Sequence, residues 1–115
     1  MGAKKISQFR MIRVSLLNDQ FRRSFKGGRV VVSPGVEALP KADLIAVLQK
    51  VKEFDGFIPA FDPSDERDFG VFEHNGERYL FQINYYTKDM AGRSTDPGDI
   101  DKTVRILNIK KALGY

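Results

Sequence analysis

The sequence predicts a single α+β domain: an antiparallel, hairpin-based sheet of about three strands packed with three helices, in the order helix-strand-helix-hairpin-helix. Three observations carry this. A helical apolar period runs near the N terminus, three consecutive valines sit between two glycine-bearing breaks, and two strand-like runs flank Asn75-Gly76. At 115 residues there is room for one core, so the domain spans 1–115. With 42% hydrophobic and 30% charged residues, the chain belongs with folded proteins.

The first helix is expected over about 6–26. On a helical wheel Ile6, Phe9, Val14, Leu16, Leu17, Phe21 and Phe25 share one half, while Lys4, Asp19, Arg22, Arg23 and Lys26 share the other. Arg10 and Arg13 break the pattern by projecting into the apolar arc, and Ile12 falls on the polar side. Gly27-Gly28 ends the helix. Arg29 to Ser33, rich in β-branched residues, reads as a short buried strand, and Ser33-Pro34-Gly35 as a turn. Pro40 suits the first turn of a second helix over Pro40 to Phe54, with Leu44, Leu48 and Val51 as its core stripe and Ile45 and Phe54 beside them.

Residues 55–65 read as irregular. The hairpin is expected over about 69–86, because Asn-Gly is the strongest two-residue hairpin signal. That turn sets Glu73 opposite Arg78, Phe72 opposite Tyr79 and Val71 opposite Leu80. Phe72, Tyr79, Phe81, Ile83 and Tyr85 then form the core face. Phe69, Val71, Leu80, Gln82, Asn84 and Tyr86 form a mixed second face. Asp96-Pro97-Gly98-Asp99 resembles a helix start, which predicts a third helix over about 97–113. Its wide stripe holds Ile100, Val104, Ile106, Leu107, Ile109 and Leu113, and Gly114 ends it.

Composition excludes several chemistries. The absence of cysteine removes disulfides, thiolate catalysis and cysteine-ligated metals, and a single histidine removes any two-histidine metal site. No apolar run reaches the roughly 20 residues of a membrane span. The basic N terminus lacks a signal-like apolar segment, and Ile6 stands where a myristoylation motif needs Ser or Thr. A cytoplasmic protein with no membrane partner is therefore expected. The net charge of +4 is uneven: residues 1–29 hold eight bases against Asp19 alone, and the remainder is mildly acidic. Such a block attracts anionic partners and argues against a DNA mimic.

The motifs carry little chemistry. Asp68-Phe69-Gly70 spells a kinase triplet, but the rest of a kinase is missing; Gly70 is expected to pack closely opposite Phe81. Gly27-Gly28-Arg29 and Ser33-Pro34-Gly35 match neither the dinucleotide nor the P-loop spacing. Asp62, Asp65, Glu66 and Asp68 form an acidic cluster around Arg67, read first as a solvated loop. His74, next to the hairpin turn, reads as exposed and uninvolved. No catalytic, cofactor-binding or metal-ligating residue is assigned, and no cofactor is expected.

A series of short matches occurs in order: Leu17-Asn18-Asp19 with Phe21-Arg22, Gly27-Gly28-Arg29-Val30, Gly35-Val36, Leu39-Pro40, Phe54-Asp55, Asp62-Pro63, Asp68-Phe69-Gly70, Tyr85-Tyr86, Asp96-Pro97, Thr103 and Arg105-Ile106-Leu107, through to Tyr115. Over residues 16–115 this resembles a small bacterial family of unknown function, numbered three-seven-six-eight. The resemblance implies a family frequent in alphaproteobacteria and on mobile elements, with no established activity. It also implies that the Asp68-Phe69-Gly70 segment, Tyr85-Tyr86 and Asp96-Pro97 matter. The chain departs from the pattern where members carry a His before Asp-Phe-Gly, which is Arg67 here, and where Gln82-Ile83-Asn84-Tyr85-Tyr86-Thr87 replaces Lys-Ile-Asp-Tyr-Tyr-Asp. Lys110-Lys111-Ala112-Leu113-Gly114-Tyr115 replaces Met-Leu-Ala-Ser-Glu-Tyr at the end.

The functional expectation is a non-catalytic macromolecule-binding protein of a phage or mobile element, directed at a bacterial defence system such as CRISPR or restriction machinery. Its partner is expected to be a protein, a nucleoprotein complex included. The contact candidates are Arg10, Arg13, Arg22, Arg23 and Lys26 on the basic helix, and Phe69, Leu80, Gln82 and Tyr86 on the mixed hairpin face. The alternatives are direct nucleic-acid binding through the basic helix and a divalent-cation hydrolase built on Asp62, Asp65, Glu66 and Asp68.

Overall fold

The computed structural model describes residues 3–112, with side chains from residue 9 onward. The expectations for the Ile6 side chain, Leu113, Gly114 and Tyr115 lie outside the described residues. The elements are α1 (Ala3–Ser24), β1 (Arg29–Val32), α2 (Pro34–Glu37), α3 (Lys41–Glu53), β2 (Phe69–His74), β3 (Glu77–Tyr86) and β4 (Val104–Lys111). They form one α+β domain with a four-stranded mixed sheet in the order β1-β4-β3-β2, in which β1 and β4 are parallel and the other pairs antiparallel. No described helix is long and apolar enough to cross a membrane.

The hairpin forms as its turn dictates. Asn75 and Gly76 both adopt positive φ, and the expected pairs Glu73–Arg78, Phe72–Tyr79 and Val71–Leu80 are all present. Gly70 is required by contact: a Cβ there would lie 2.4 Å from the Phe81 ring and 2.8 Å from that of Phe54. The second helix begins one residue after Pro40, which occupies its cap position. Val47 and Val51 are its buried residues, whereas Ile45 points to solvent. The Ser33-Pro34-Gly35 turn is a one-turn helix that plugs Val36 into the core, with the Ser33 hydroxyl accepting from the Val36 amide.

The third helix expected over 97–113 is not formed. Pro97-Gly98 belongs to a turn, closed by the Asp99 amide on Asp96 O, and Ile100 is exposed. The segment beyond it is β4, the most heavily paired strand, bonded to β3 along its length and to β1. Arg105, Leu107 and Ile109 point to the helix-covered face and Val104, Ile106 and Asn108 to the other. An apolar stripe too wide for one helix face is what a central strand with apolar residues on both faces produces.

The core joins Phe21 of α1, Val36 of α2 and Val47 and Val51 of α3 to Tyr79, Phe81, Ile83, Leu107 and Ile109 of the sheet. All three helices thus cover one sheet face.

Candidate interaction surface

The basic helix face is not the continuous patch that the sequence suggests. Arg22 is 0% exposed. Its Nη1 donates to the carbonyls of Val51 and Lys52 in the last turn of α3, at 2.9 and 3.1 Å, and its Nη2 to Asp19 Oδ1 at 2.9 Å. The guanidinium lies over Phe57 and Phe81, and its buried Nε has no partner. Burial pushes its pKa down while Asp19 opposes the shift. Arg22 is therefore a tie between α1 and α3, set where the helix dipole favours a cation. Arg10, Arg13, Arg23 and Lys26 remain exposed, but Lys26 lies past the end of α1, and at about 100° per residue the three arginines spread over more than a third of the helix circumference. Nucleic-acid binding by this helix would have to do without Arg22.

The helix wheel also misplaces the contact face. Val14, Asn18, Phe21 and Arg22 are buried, whereas Phe9 and Leu16, expected in the core, are exposed. Asn18 anchors a polar network. Its Nδ2 donates to Glu66 O and to the Tyr85 hydroxyl, at 3.0 and 2.7 Å. Its Oδ1 accepts from Arg105 Nε at 2.8 Å, and the Tyr85 hydroxyl donates to Glu66 Oε2 at 2.8 Å. Arg105 stands over the Tyr85 ring and donates to Pro97 O. Burial pushes the Tyr85 phenol far up, so it stays protonated. Arg67 bridges Asp19 and Asp55 at 2.9 and 3.1 Å and lies over Phe57, so Asp19 is shared by two arginines. Asn18, Asp19, Arg67, Tyr85 and Arg105 were not expected as a unit. The one sequence signal was a polar residue at Asn18, spaced i, i+4, i+7 between Val14 and Phe21.

Asp62, Glu66 and Asp68 of the acidic cluster border one cavity, and Asp65 lies apart from them beside α1. Asp62 accepts the backbone amides of Glu66 and Arg67, Glu66 is engaged by Tyr85, and Asp65 is exposed at positive φ. Among the described residues no three His, Asp or Glu side chains are placed to hold a metal ion. Burial, with Glu66 and Asp62 nearby, pushes the Asp68 carboxyl up to about 6. His74 is not the uninvolved turn residue expected: its Nε2 lies 2.9 Å from Asp43 Oδ1, which also accepts from Asn75.

The mixed hairpin face extends across the sheet and, among the described residues, carries no helix. One cross-strand row runs Val31, Asn108, Gln82, Phe69, and Val104 pairs with Tyr86 beyond it. Gln82 is exposed, Phe69 and Tyr86 are half-buried, and Leu80 is only 4% exposed, which removes it from the contact candidates. At the edge of this face the Phe61 ring packs at 6.0 Å on Phe69, and both help line a cavity of about 380 Å³ with Gln82 and Asp68.

No curated protein and no solved structure matches the chain. A family model described as "Protein of unknown function" matches residues 32–113, from the last residue of β1 through β4. Arg67, Tyr85, Arg105 and all of the open sheet face except Val31 fall within that match, whereas Asn18, Asp19 and Arg22 precede it. The chain belongs to the DUF3768 family.

Proposed function

We propose that this chain is a non-catalytic protein that acts by binding another protein through the open face of its sheet. One observation carries the reading: the helices cover one face, leaving the row Val31, Asn108, Gln82 and the neighbouring Tyr86 and Ile106 outside the helix layer among the described residues, with Phe69 flanked at the edge by the Phe61 ring. A surface of aromatic and aliphatic groups around central amides suits a protein interface, in which apolar anchors supply the energy and amides the register. The side chains with chemical potential, Tyr85, Glu66, Arg67, Arg105 and Asp62, are engaged with one another or with backbone. The association of the resembling family with mobile elements supports a bacterial defence system as the class of target.

The test compares the wild-type chain with Gln82→Arg plus Asn108→Arg, both on the open face. Cross-linking in bacterial cells and nuclease treatment precede capture. A defined protein retained by the wild type and lost by the folded variant supports the reading. Equal retention by both, or capture that disappears with nuclease, overturns it. A phage-plating assay against restriction- or CRISPR-equipped hosts reads the target class: protection that requires Gln82 and Asn108 supports a defence target, and its absence rules that target out.

A further inference from the structure

We infer that the outward side of α1 is a docking seam for an acidic amphipathic helix of a partner protein. This surface lies on a different element from the open sheet face, so the inference stands independently of the proposed function. Phe9, Ile12 and Leu16 are 59%, 55% and 56% exposed. They are spaced by three and then four residues, and they lie roughly half a turn from the buried Val14, Asn18 and Phe21. This is the a-d-a spacing of a helix seam. Arg13, Gln20 and Arg23 flank it closely, so the apolar strip is narrow. A membrane-surface helix presents a broader apolar face, of roughly 100° or more. Three aligned side chains fit the groove of one partner helix instead.

Charge selects the partner. From residue 9 to the end of α1 the only acid is Asp19, and its carboxylate is consumed by Arg22 and Arg67. Arg10, Arg13 and Arg23 are exposed and enter no ion pair among the described residues. A second copy of α1 laid on the seam would set arginine against arginine, whereas an acidic helix would pair with them. Beside the seam Met11, Ile12, Ser15 and Asp65 line a cavity of about 240 Å³. That notch takes one apolar side chain of the partner, with Asp65 as the single acid at its border.

The test uses the full chain and a fluorescein-labelled helical peptide with Leu at its a and d positions and Glu at e and g. Comparators are the same peptide with Lys at e and g, and phosphatidylglycerol vesicles. The Glu peptide is expected to bind, to weaken at least about tenfold with Ile12→Ser plus Leu16→Ser, and to weaken as salt rises. Arg13→Glu plus Arg23→Glu should reverse the preference toward the Lys peptide. All four sites are exposed, so circular dichroism should show unchanged folding. No Glu-peptide binding into the high-micromolar range overturns the inference. So does equal binding by the serine variant, vesicle binding that depends on Ile12 and Leu16, or a dimer in light scattering that the serine variant abolishes.

Discussion

Arg22→Ala should be among the most damaging single substitutions in the chain. The guanidinium makes three hydrogen bonds, two to the last-turn carbonyls of α3 and one to Asp19, and its plane covers Phe57 and Phe81. Removing one member of a buried ion pair costs about 3–5 kcal/mol. Asp19 keeps Arg67 as a second partner, which moves the expected loss to about 3–4 kcal/mol. A domain of this size has about 5–15 kcal/mol in total. Urea unfolding followed by circular dichroism should therefore show the midpoint falling by about 2 M at an ordinary slope. Arg22→Met restores the apolar stem but not the charge, so it should recover less than half of the loss. A double-mutant cycle with Asp19→Asn should give a coupling of about 1–3 kcal/mol. If Arg22→Met lies within about 0.5 kcal/mol of wild type, the arginine is not what ties α1 to α3.

Two further outcomes follow from the packing and electrostatics. Gly70→Ala places a methyl 2.4 Å from the Phe81 ring and 2.8 Å from that of Phe54; thermal unfolding should report a loss of about 1–3 kcal/mol, and a neutral result would mean that the aromatic cluster yields easily. The Asp68 carboxyl is held at about 6 in the folded chain against an ordinary 3.8, so the folded state binds this proton more tightly than the unfolded state. The resulting destabilisation is absent below pH 3.8, grows between 3.8 and about 6, and is complete above that. Asp68→Asn should thus raise the melting temperature at pH 7 and leave it unchanged near pH 3.5, and an equal gain at both values would refute the assignment.

The hairpin was legible because its chemistry is local: Asn75-Gly76 accepts two positive φ angles, and the turn alone sets the register. β4 was illegible for the opposite reason. Its neighbours are β1, more than seventy residues earlier in the chain, and β3, while Asp96-Pro97-Gly98-Asp99 imitates a helix cap at the position where a turn forms. Long-range pairing overrode the local signal. On α1 the error came from equating polar with outside. Asn18, Asp19 and Arg22 are buried because each meets a partner from residues 51–105, and those partners cannot be read from the helix itself. Phe9 and Leu16 were assigned to the core by pattern alone, whereas Ile12, set on the polar side, is exposed as expected; nothing in the described chain covers the three.

Arg67 shows how this chain uses a position where the resembling pattern carries histidine. A histidine offers two ring nitrogens and a charge that depends on pH. Arg67 instead donates from separate nitrogens to Asp19 and Asp55 and lies flat over Phe57, three contacts that suit a planar, permanently charged fork. Those contacts fasten the 55–68 segment to α1 and hold Asp19 in place for Arg22. The same segment delivers Glu66 to Tyr85 and Asn18, closing a network that spans α1, β3 and β4. Groups committed to one another in this way rigidify a fold. The polar ties of the helix layer are thus spent on holding the sheet, and the open sheet face and the outward seam of α1 lie outside them.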